Sequence, residues 1–162
     1  MAQALHHTGR TFAPPKEIEC ADVTARKAHQ FAVVAVALLG LLLGGAAGAA
    51  LLLVDGLIMA VGRFWGPADV FRQVVWRVAE PRGWLRPNPV PEERGTRRIA
   101  RVLGGLGLLA GAGALYAGNP LLAAVITVPL SLMILLDATL NFCALCFLRY
   151  QAQALRYRLR GA

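Results

Sequence analysis

Charge is scarce in this chain and almost absent from two long parts of it. Of its 162 residues, 57% are hydrophobic and only 16% are charged. The stretch 31–62 contains one charged residue, Asp55, and the stretch 102–148 also contains one, Asp137. A soluble domain of this length needs a polar coat around a single core. The uninterrupted apolar stretches therefore argue against a soluble domain and predict an integral membrane protein of the all-α class.

The motifs of several common enzyme classes are also missing. The sequence has no phosphate-binding glycine loop, no dinucleotide-binding fingerprint and no serine–histidine–acid arrangement. Its three histidines are His6, His7 and His29, and adjacent histidines without further ligands make a poor metal site. We therefore expect no cofactor and no metal site built on these histidines.

Each apolar stretch is too long for one membrane crossing, which takes roughly 20 residues. The second stretch breaks at Gly118-Asn119-Pro120, a strong turn signal, and the first is weakest as a helix at 44–48, which is rich in glycine. The pattern predicts two helical hairpins, with helices near 27–44, 47–63, 98–117 and 120–149. An alternative for the first stretch is one long span over 31–54, with 56–65 lying in the membrane interface.

The basic residues lie on one side of this predicted bundle. They precede the first helix, fill the connection between the second and third helices, and follow the fourth, whereas the two hairpin tips have none. The positive-inside rule then predicts a multi-pass membrane protein with both termini and the middle connection in the cytoplasm. Attraction to anionic lipid head groups accounts for the basic charge, so we expect the lipid bilayer as a partner and no nucleic acid.

The polar segments divide the rest of the chain. Residues 1–25 are predicted to form a flexible cytoplasmic arm, 26–150 the membrane domain and 151–162 a basic cytoplasmic tail. Within the middle connection, 68–80 has apolar residues at helical spacing and polar residues between them. This pattern predicts an amphipathic helix on the cytoplasmic surface, anchored by Trp65 and Trp76.

A cysteine pair is the sharpest chemical signal. Cys143 and Cys146 form a CxxC at the predicted cytoplasmic end of the fourth helix, where Arg149 is a candidate to stabilise a thiolate. Three interpretations stay open: redox or sulfur-carrier chemistry, structural packing, and metal binding. The remaining cysteine, Cys20, lies in the arm and is a possible resolving thiol.

Polar residues inside the predicted spans form a second group of candidates. They are Asp55 in the second helix, and Asp137 with Asn141 one turn later in the fourth. Carboxylates at membrane depth usually face the bundle interior or a water-filled cavity. They act either as proton or cation handles or as hydrogen bonds between helices, and His29 and Arg101 are their expected partners.

Three segments resemble a bacterial membrane family known as domain of unknown function 4395. They are Asp22 to Phe31, Arg97 to Ala100, and Leu140 to Phe147, the last of which looks like the family's closing aromatic-Cys-x-x-Cys motif. The resemblance covers about residues 22–150. It implies a setting in thiol or sulfur handling, with a thioredoxin-like or sulfurtransferase partner in the cytoplasm.

Three functions therefore remain as hypotheses. The first is a membrane component of thiol-redox or sulfur-compound handling that uses the CxxC. The second is a small accessory or scaffold subunit of a larger membrane complex or homo-oligomer. The third is a small transporter-like bundle with Asp55 in the conducting path.

Overall fold

The computed structural model of the protein describes residues 18–62, 64–141, 143, 147–148, 151–152 and 155–156. Helices dominate these residues, as the hydropathy predicts. The four long ones are α1 (Val23–Leu43), α2 (Gly45–Val61), α4 (Arg94–Tyr116) and α5 (Pro120–Leu140). Between α2 and α4, a 3₁₀ turn (Gly66–Ala68) leads to the short helix α3 (Val70–Val74), which continues as a π-helical turn (Val75–Ala79).

A two-stranded ribbon precedes the bundle, where the sequence predicted a flexible arm. Strand β1 (Ile18–Asp22) pairs antiparallel with β2 (Pro89–Glu93), so that Ile18 lies opposite Glu93. The prediction for 1–25 is therefore wrong over residues 18–25, which form β1 and the first turn of α1; residues 1–17 lie outside the described part. Asp22 ends the strand and caps α1, accepting hydrogen bonds from the backbone N–H groups of Thr24 (3.0 Å) and Ala25 (3.3 Å).

Each apolar stretch forms two helices, as predicted. α1 ends at Leu43, and the next two residues, Gly44 and Gly45, have φ of 62° and 54°, a left-handed region that favours glycine. The second hairpin turns at Gly118, with φ of 76°, and Pro120 opens α5. The alternative of one continuous helix over 31–54 is wrong.

The four long helices pack in a ring. α1 contacts α2 and α5, and α4 contacts the same two helices. Small residues let the backbones approach: a Cβ atom on Gly48 of α2 would overlap the Gly40 carbonyl oxygen of α1, and one on Gly56 would lie 2.9 Å from the Gly105 carbonyl oxygen of α4. The buried core inside the ring is made of Val33, Val34, Ala37, Ala49, Leu52, Met59, Leu108, Ala112, Ala114, Leu115, Ala123 and Ile134.

Three of the described helices are long and apolar enough to cross a membrane: Val23–Leu43, Arg98–Tyr116 and Pro120–Leu140. α2 is also apolar but shorter, at 17 residues. Large apolar side chains such as Leu42, Leu121 and Val125 point outward from the bundle. These features are compatible with a membrane protein whose outer surface faces lipid.

The end of α5 differs from the prediction. The hydropathy pattern indicated a helix to residue 149, but α5 ends at Leu140 and the next residue, Asn141, takes a left-handed conformation with φ of 54°. Asparagine adopts this conformation more readily than other non-glycine residues, since its short polar side chain can bond locally. The CxxC therefore starts beyond the helix.

Candidate functional site

One end of the ring collects most of the polar side chains, and we call it the polar end. It contains the first two turns of α1, the C-terminus of α2, all of α3, the start of α4 and the end of α5. The N-terminal turns of α1 supply Arg26, His29 and Gln30 to this end. Consecutive residues on a helix point about 100° apart. His29 and Gln30 consequently reach different neighbours.

His29 belongs to a buried cluster with Asp69 and Arg101. The Nδ1 atom of His29 lies 2.8 Å from Oδ1 of Asp69, and Arg101 donates from Nη2 to Asp69 Oδ2 at 2.8 Å. The same Arg101 nitrogen lies 3.2 Å from His29 Nε2. Asp69 is 1% exposed and His29 is 3% exposed. The three side chains thus join α1, the start of α3 and α4 through one carboxylate.

The environment of Asp69 favours its ionised form. Burial alone would raise the pKa of this carboxyl group. The hydrogen bonds and charges of His29 and Arg101 outweigh that effect and lower the pKa to about 2. Asp69 also caps α3, since its Oδ1 accepts from the backbone N–H of Arg72 at 3.3 Å. It therefore stays a carboxylate under ordinary conditions and fixes the position of α3.

The other face of the α1 start meets α5. Gln30 donates a hydrogen bond from Nε2 to Oδ2 of Asp137, and Arg26 donates from Nη2 to Oδ1 of Asn141 at 3.2 Å. These two contacts lie one helical turn apart on both antiparallel helices. Asp137 and Asn141, which the sequence placed on one helical face, are thus brought together along a single seam with α1.

Cys143 lies just beyond this seam. It follows the left-handed residue Asn141 by two positions and is half-buried. Its carbonyl oxygen accepts a hydrogen bond from the N–H of Phe147 at 3.1 Å, and residues 147 and 148 are helical. Cys143 therefore precedes a new helical turn instead of lying within α5, where the sequence placed it.

Two of the predicted site residues cannot be placed. Cys146 and Arg149 lie outside the described residues, so the spacing of the two sulfur atoms and the position of the Arg149 guanidinium stay predictions. Of the third cysteine, Cys20, the structure describes the backbone, which pairs with Pro91 in the β1–β2 ribbon.

Asp55 lies elsewhere, in the middle of α2. It is 0% exposed, and neither carboxylate oxygen has a hydrogen-bond partner among the described residues. The expectation that His29 or Arg101 would pair with Asp55 is wrong, because both of these side chains contact Asp69. A charged residue at membrane depth normally finds a partner, so Asp55 is set apart from every carboxylate at the polar end.

Asp69 is the residue of the polar end that sequence reasoning missed. Its place after Gly66-Pro67 and before an amphipathic segment indicated a helix start, and that part is confirmed. Its contacts with residues 29 and 101 depend on how the helices pack, which no local pattern reveals.

The chemistry available at the polar end combines a thiol with hydrogen-bonding and charged groups. A guanidinium, two amides and a carboxylate hold α1 against α5, and the chain leaves this seam directly into the CxxC. Among the described residues, no group of three or more histidine, cysteine, aspartate or glutamate side chains is placed to hold a metal ion.

Comparisons with known proteins agree with the resemblance seen in the sequence. Neither the curated proteins nor the solved structures give a match. The family model described as Domain of unknown function (DUF4395) matches residues 21–154, which include α1 to α5 and the whole CxxC. The chain belongs to this DUF4395 family.

Proposed function

We propose that the protein is a membrane component of thiol-redox or sulfur-compound handling that acts through Cys143 and Cys146. The observation that carries this proposal is the position of Cys143. It lies outside the regular helix, half-buried, at the polar end of the bundle. Thiol–disulfide exchange requires a partner to reach the attacking sulfur, and a cysteine within a lipid-facing helix would not meet that requirement.

The break at Asn141 separates Cys143 from α5. Without the left-handed residue, α5 would continue past residue 141 towards Cys143. The hydrogen bond from Arg26 to Asn141 holds the break against α1 and places a positive charge beside the segment that leads to Cys143.

The proposed exchange has two steps. The Cys143 thiolate attacks a disulfide of the partner, which forms a mixed disulfide and releases one partner thiolate. The Cys146 thiolate then attacks the Cys143 sulfur, which closes the Cys143–Cys146 disulfide and releases the second partner thiolate. Two electrons and two protons pass from the cysteine pair to the partner, and the reverse sequence reduces the pair again.

The membrane setting is part of the proposal. We place the protein in a bacterial inner membrane with α2 as a fourth, short span and both termini in the cytoplasm, because the basic residues collect at the polar end. Exposed aromatic rings at this end lie beneath arginines: Arg98 is 5.4 Å from the Phe64 ring, and Arg82 is 5.5 Å from the Trp84 ring. Such pairs suit the head-group region.

On this topology the cysteine pair faces the cytoplasm, which is a reducing compartment. A lasting structural disulfide is not expected there. A thioredoxin-like protein or a sulfurtransferase is the partner chemistry that fits, since both present a reactive cysteine. Assembly into a homo-oligomer or a larger membrane complex is compatible with this role.

The test is partner trapping in cells. Cys146→Ser removes the second thiolate, so a mixed disulfide at Cys143 can no longer be resolved and should accumulate as a species that dithiothreitol cleaves. Cys143→Ser should not accumulate it, and Cys20→Ser in every strain removes the background from the third cysteine.

Two results would count against the proposal. One is the absence of any reducible adduct in the Cys146→Ser protein. The other is co-purification of the same partners from the double variant Cys143→Ser, Cys146→Ser. The second result would instead support an accessory or scaffold subunit whose cysteines only pack.

A further inference from the structure

The middle of the bundle holds three buried polar side chains that the proposed function does not use. They are Asp55 of α2, with 0% exposure, and Thr127 and Ser131 of α5, with 0% and 4%. Neither the carboxylate oxygens of Asp55 nor the two hydroxyl oxygens have a hydrogen-bond partner among the described residues. Buried polar groups without partners are costly, and each one requires an explanation.

Asp55 faces the inside of the ring. On the same stripe of α2, Leu52 lies against Gly40 of α1, and Met59 lies against Gly104 of α4. Asp55 falls between these two contacts, three residues after Leu52 and four before Met59. Its carboxylate is therefore directed between α1 and α4 and away from lipid.

The two hydroxyl groups belong to the buried stripe of α5. Thr127 packs its hydroxyl against Gly111 of α4, where a side chain larger than hydrogen would overlap it. Ser131 follows one turn later on the same buried face. By contrast, the hydroxyl of the exposed Thr139 donates to the Leu135 carbonyl oxygen at 2.9 Å, the usual way for a helix to satisfy such a group. The interior hydroxyls do not use this route.

The three side chains lie at one depth. At 1.5 Å per residue, Asp55 is about 15 Å along α2 from Gly45 at the first hairpin turn. By the same rise, Thr127 is about 12 Å and Ser131 about 18 Å along α5 from Asn119 at the second turn. The carboxylate is thus level with the interval between the two hydroxyls.

Contacts between neighbouring helices agree with this register. Met59 of α2 meets Gly104 of α4, which sets Asp55 one turn further, level with Leu108. Gly107 of α4 meets Leu130 of α5, a position that lies between Thr127 and Ser131.

Among the described residues, no fixed positive charge reaches this level. The charged residues of the facing helices all lie near the polar end: Arg26, Lys27 and His29 on α1, Arg94, Arg97, Arg98 and Arg101 on α4, and Asp137 on α5. The remaining residues of these helices at the depth of Asp55 are apolar or small. His29 and Arg101 are already held by Asp69. A carboxylate in a low-dielectric interior must be neutralised. The compensating charge therefore has to come from solution.

We propose that Asp55, Thr127 and Ser131 form an oxygen-lined site in the bundle interior that takes up one exchangeable monovalent positive charge, either a proton or an alkali-metal ion. A carboxylate and two hydroxyls are hard oxygen ligands that suit both. The carboxylate supplies the negative charge and the hydroxyls supply hydrogen bonds or coordination. This site is separate from the cysteine pair and does not depend on the thiol chemistry.

Infrared titration of the full chain in lipid nanodiscs tests the site. The carbonyl stretch of a protonated carboxylic acid in the folded protein is followed over about pH 4 to 10, which covers the range of perturbed carboxyl groups. Asp55→Asn assigns the band, and Asp137→Asn, which alters the carboxylate bonded to Gln30, is the matched control. Circular dichroism establishes that each variant is folded.

The expected result is a band that disappears reversibly as pH rises, is missing in Asp55→Asn and is kept in Asp137→Asn. Thr127→Val and Ser131→Ala should each move the midpoint by roughly tenfold in ion concentration, the usual worth of a hydrogen bond to a charged group. Repeating the titration in choline chloride and in sodium chloride separates the ions. A midpoint that moves to lower pH with sodium identifies an alkali-metal site, and an unchanged midpoint identifies a proton site.

Either of two results overturns the inference. The first is a carboxylic-acid band of Asp55 that stays constant, or stays absent, at every pH and sodium concentration. The second is a midpoint that neither Thr127→Val nor Ser131→Ala moves while both variants remain folded.

Discussion

Asp69 and Asp55 are both fully buried carboxylates, yet their surroundings are opposite in kind. Asp69, at the polar end, has a histidine and an arginine at 2.8 Å and caps a helix. Asp55, about two turns deeper in the bundle, has no hydrogen-bond partner among the described residues. The difference teaches that burial alone does not assign a role to a buried acid. The neighbours that compensate its charge do.

The two regions also differ in the contacts that hold them together. Side-chain hydrogen bonds between α1, α3, α4 and α5 hold the polar end together, and Cys143 lies just beyond it. The middle is held by glycine contacts that bring helix backbones together, such as Gly40 with Gly48. We infer that the charge of Asp69 at the polar end is structural, whereas the charge compensating Asp55 in the middle exchanges with solution.

The largest expected effect comes from Asp69→Asn. Removing the carboxylate leaves the buried His29 and the half-buried Arg101 without their shared anion, and breaking a buried pair in this way typically costs about 3–5 kcal/mol. Thermal or denaturant unfolding in detergent micelles measures the loss. Asp55→Asn is the control, and it should cost less than about 1 kcal/mol because it breaks no ion pair. Equal losses of unfolding free energy for the two variants would contradict the difference proposed between Asp69 and Asp55.

Gly48→Ala tests the packing of the middle. Its new Cβ atom would overlap the Gly40 carbonyl oxygen, so α1 and α2 would have to separate, at a cost of about 1–3 kcal/mol. Gly113→Ala is the matched control on α4, since nothing lies within 4 Å of its added atom. That variant should be neutral or more stable by up to about 1 kcal/mol. Equal unfolding free energies for the two variants would contradict the close approach at Gly48.

The acid sensitivity of the fold should report Asp69. Its pKa lies at about 2 in the folded protein, below the usual value of 3.8 for aspartate. The stabilisation is therefore complete above about pH 4, and it is lost as pH falls towards 2, by roughly 2 kcal/mol in total. Unfolding free energies measured between these pH values should show the loss in the native chain and not in Asp69→Asn. The same slope in both proteins would assign the sensitivity to other carboxyl groups.

Gln30→Leu should have the smallest effect, about 1 kcal/mol, because it removes one hydrogen bond and leaves Asp137 without its amide donor. Gln73→Leu serves as the comparison, since its side chain donates to the Gly66 carbonyl oxygen at 3.2 Å in an exposed position. Unfolding in the same micelles should show the larger loss for Gln30→Leu. The reverse order would mean that the seam between α1 and α5 is held by other contacts.

Local signals in the sequence predicted the helices and their turns well. Long apolar stretches and the Gly118-Asn119-Pro120 turn define the second hairpin, and glycines define the first. The end of α5 was missed because hydropathy continues smoothly past residue 140, and only the conformation of Asn141 stops the helix. The ribbon β1–β2 was missed because prolines argue against a strand, and because its pairing joins segments about 70 residues apart.

The clusters at the polar end and in the middle were only partly predictable. The sequence singled out Asp55, Asp137 and Asn141 because polar residues are conspicuous in apolar helices. It could not show that Asp69 would take both His29 and Arg101, because those contacts form only when the four helices and α3 pack. The same packing left Asp55 without the partners that the sequence suggested for it.

The most direct test of the central claim is the redox state of Cys143 and Cys146 in native membranes. Cells that carry Cys20→Ser are quenched in acid, and the thiols are counted by mass shift with a maleimide reagent before and after mild oxidation. The account predicts a pair that changes reversibly between two reactive thiols and none. A pair that stays reduced and unreactive under oxidant would contradict it and would make the cysteines packing residues of a structural membrane subunit.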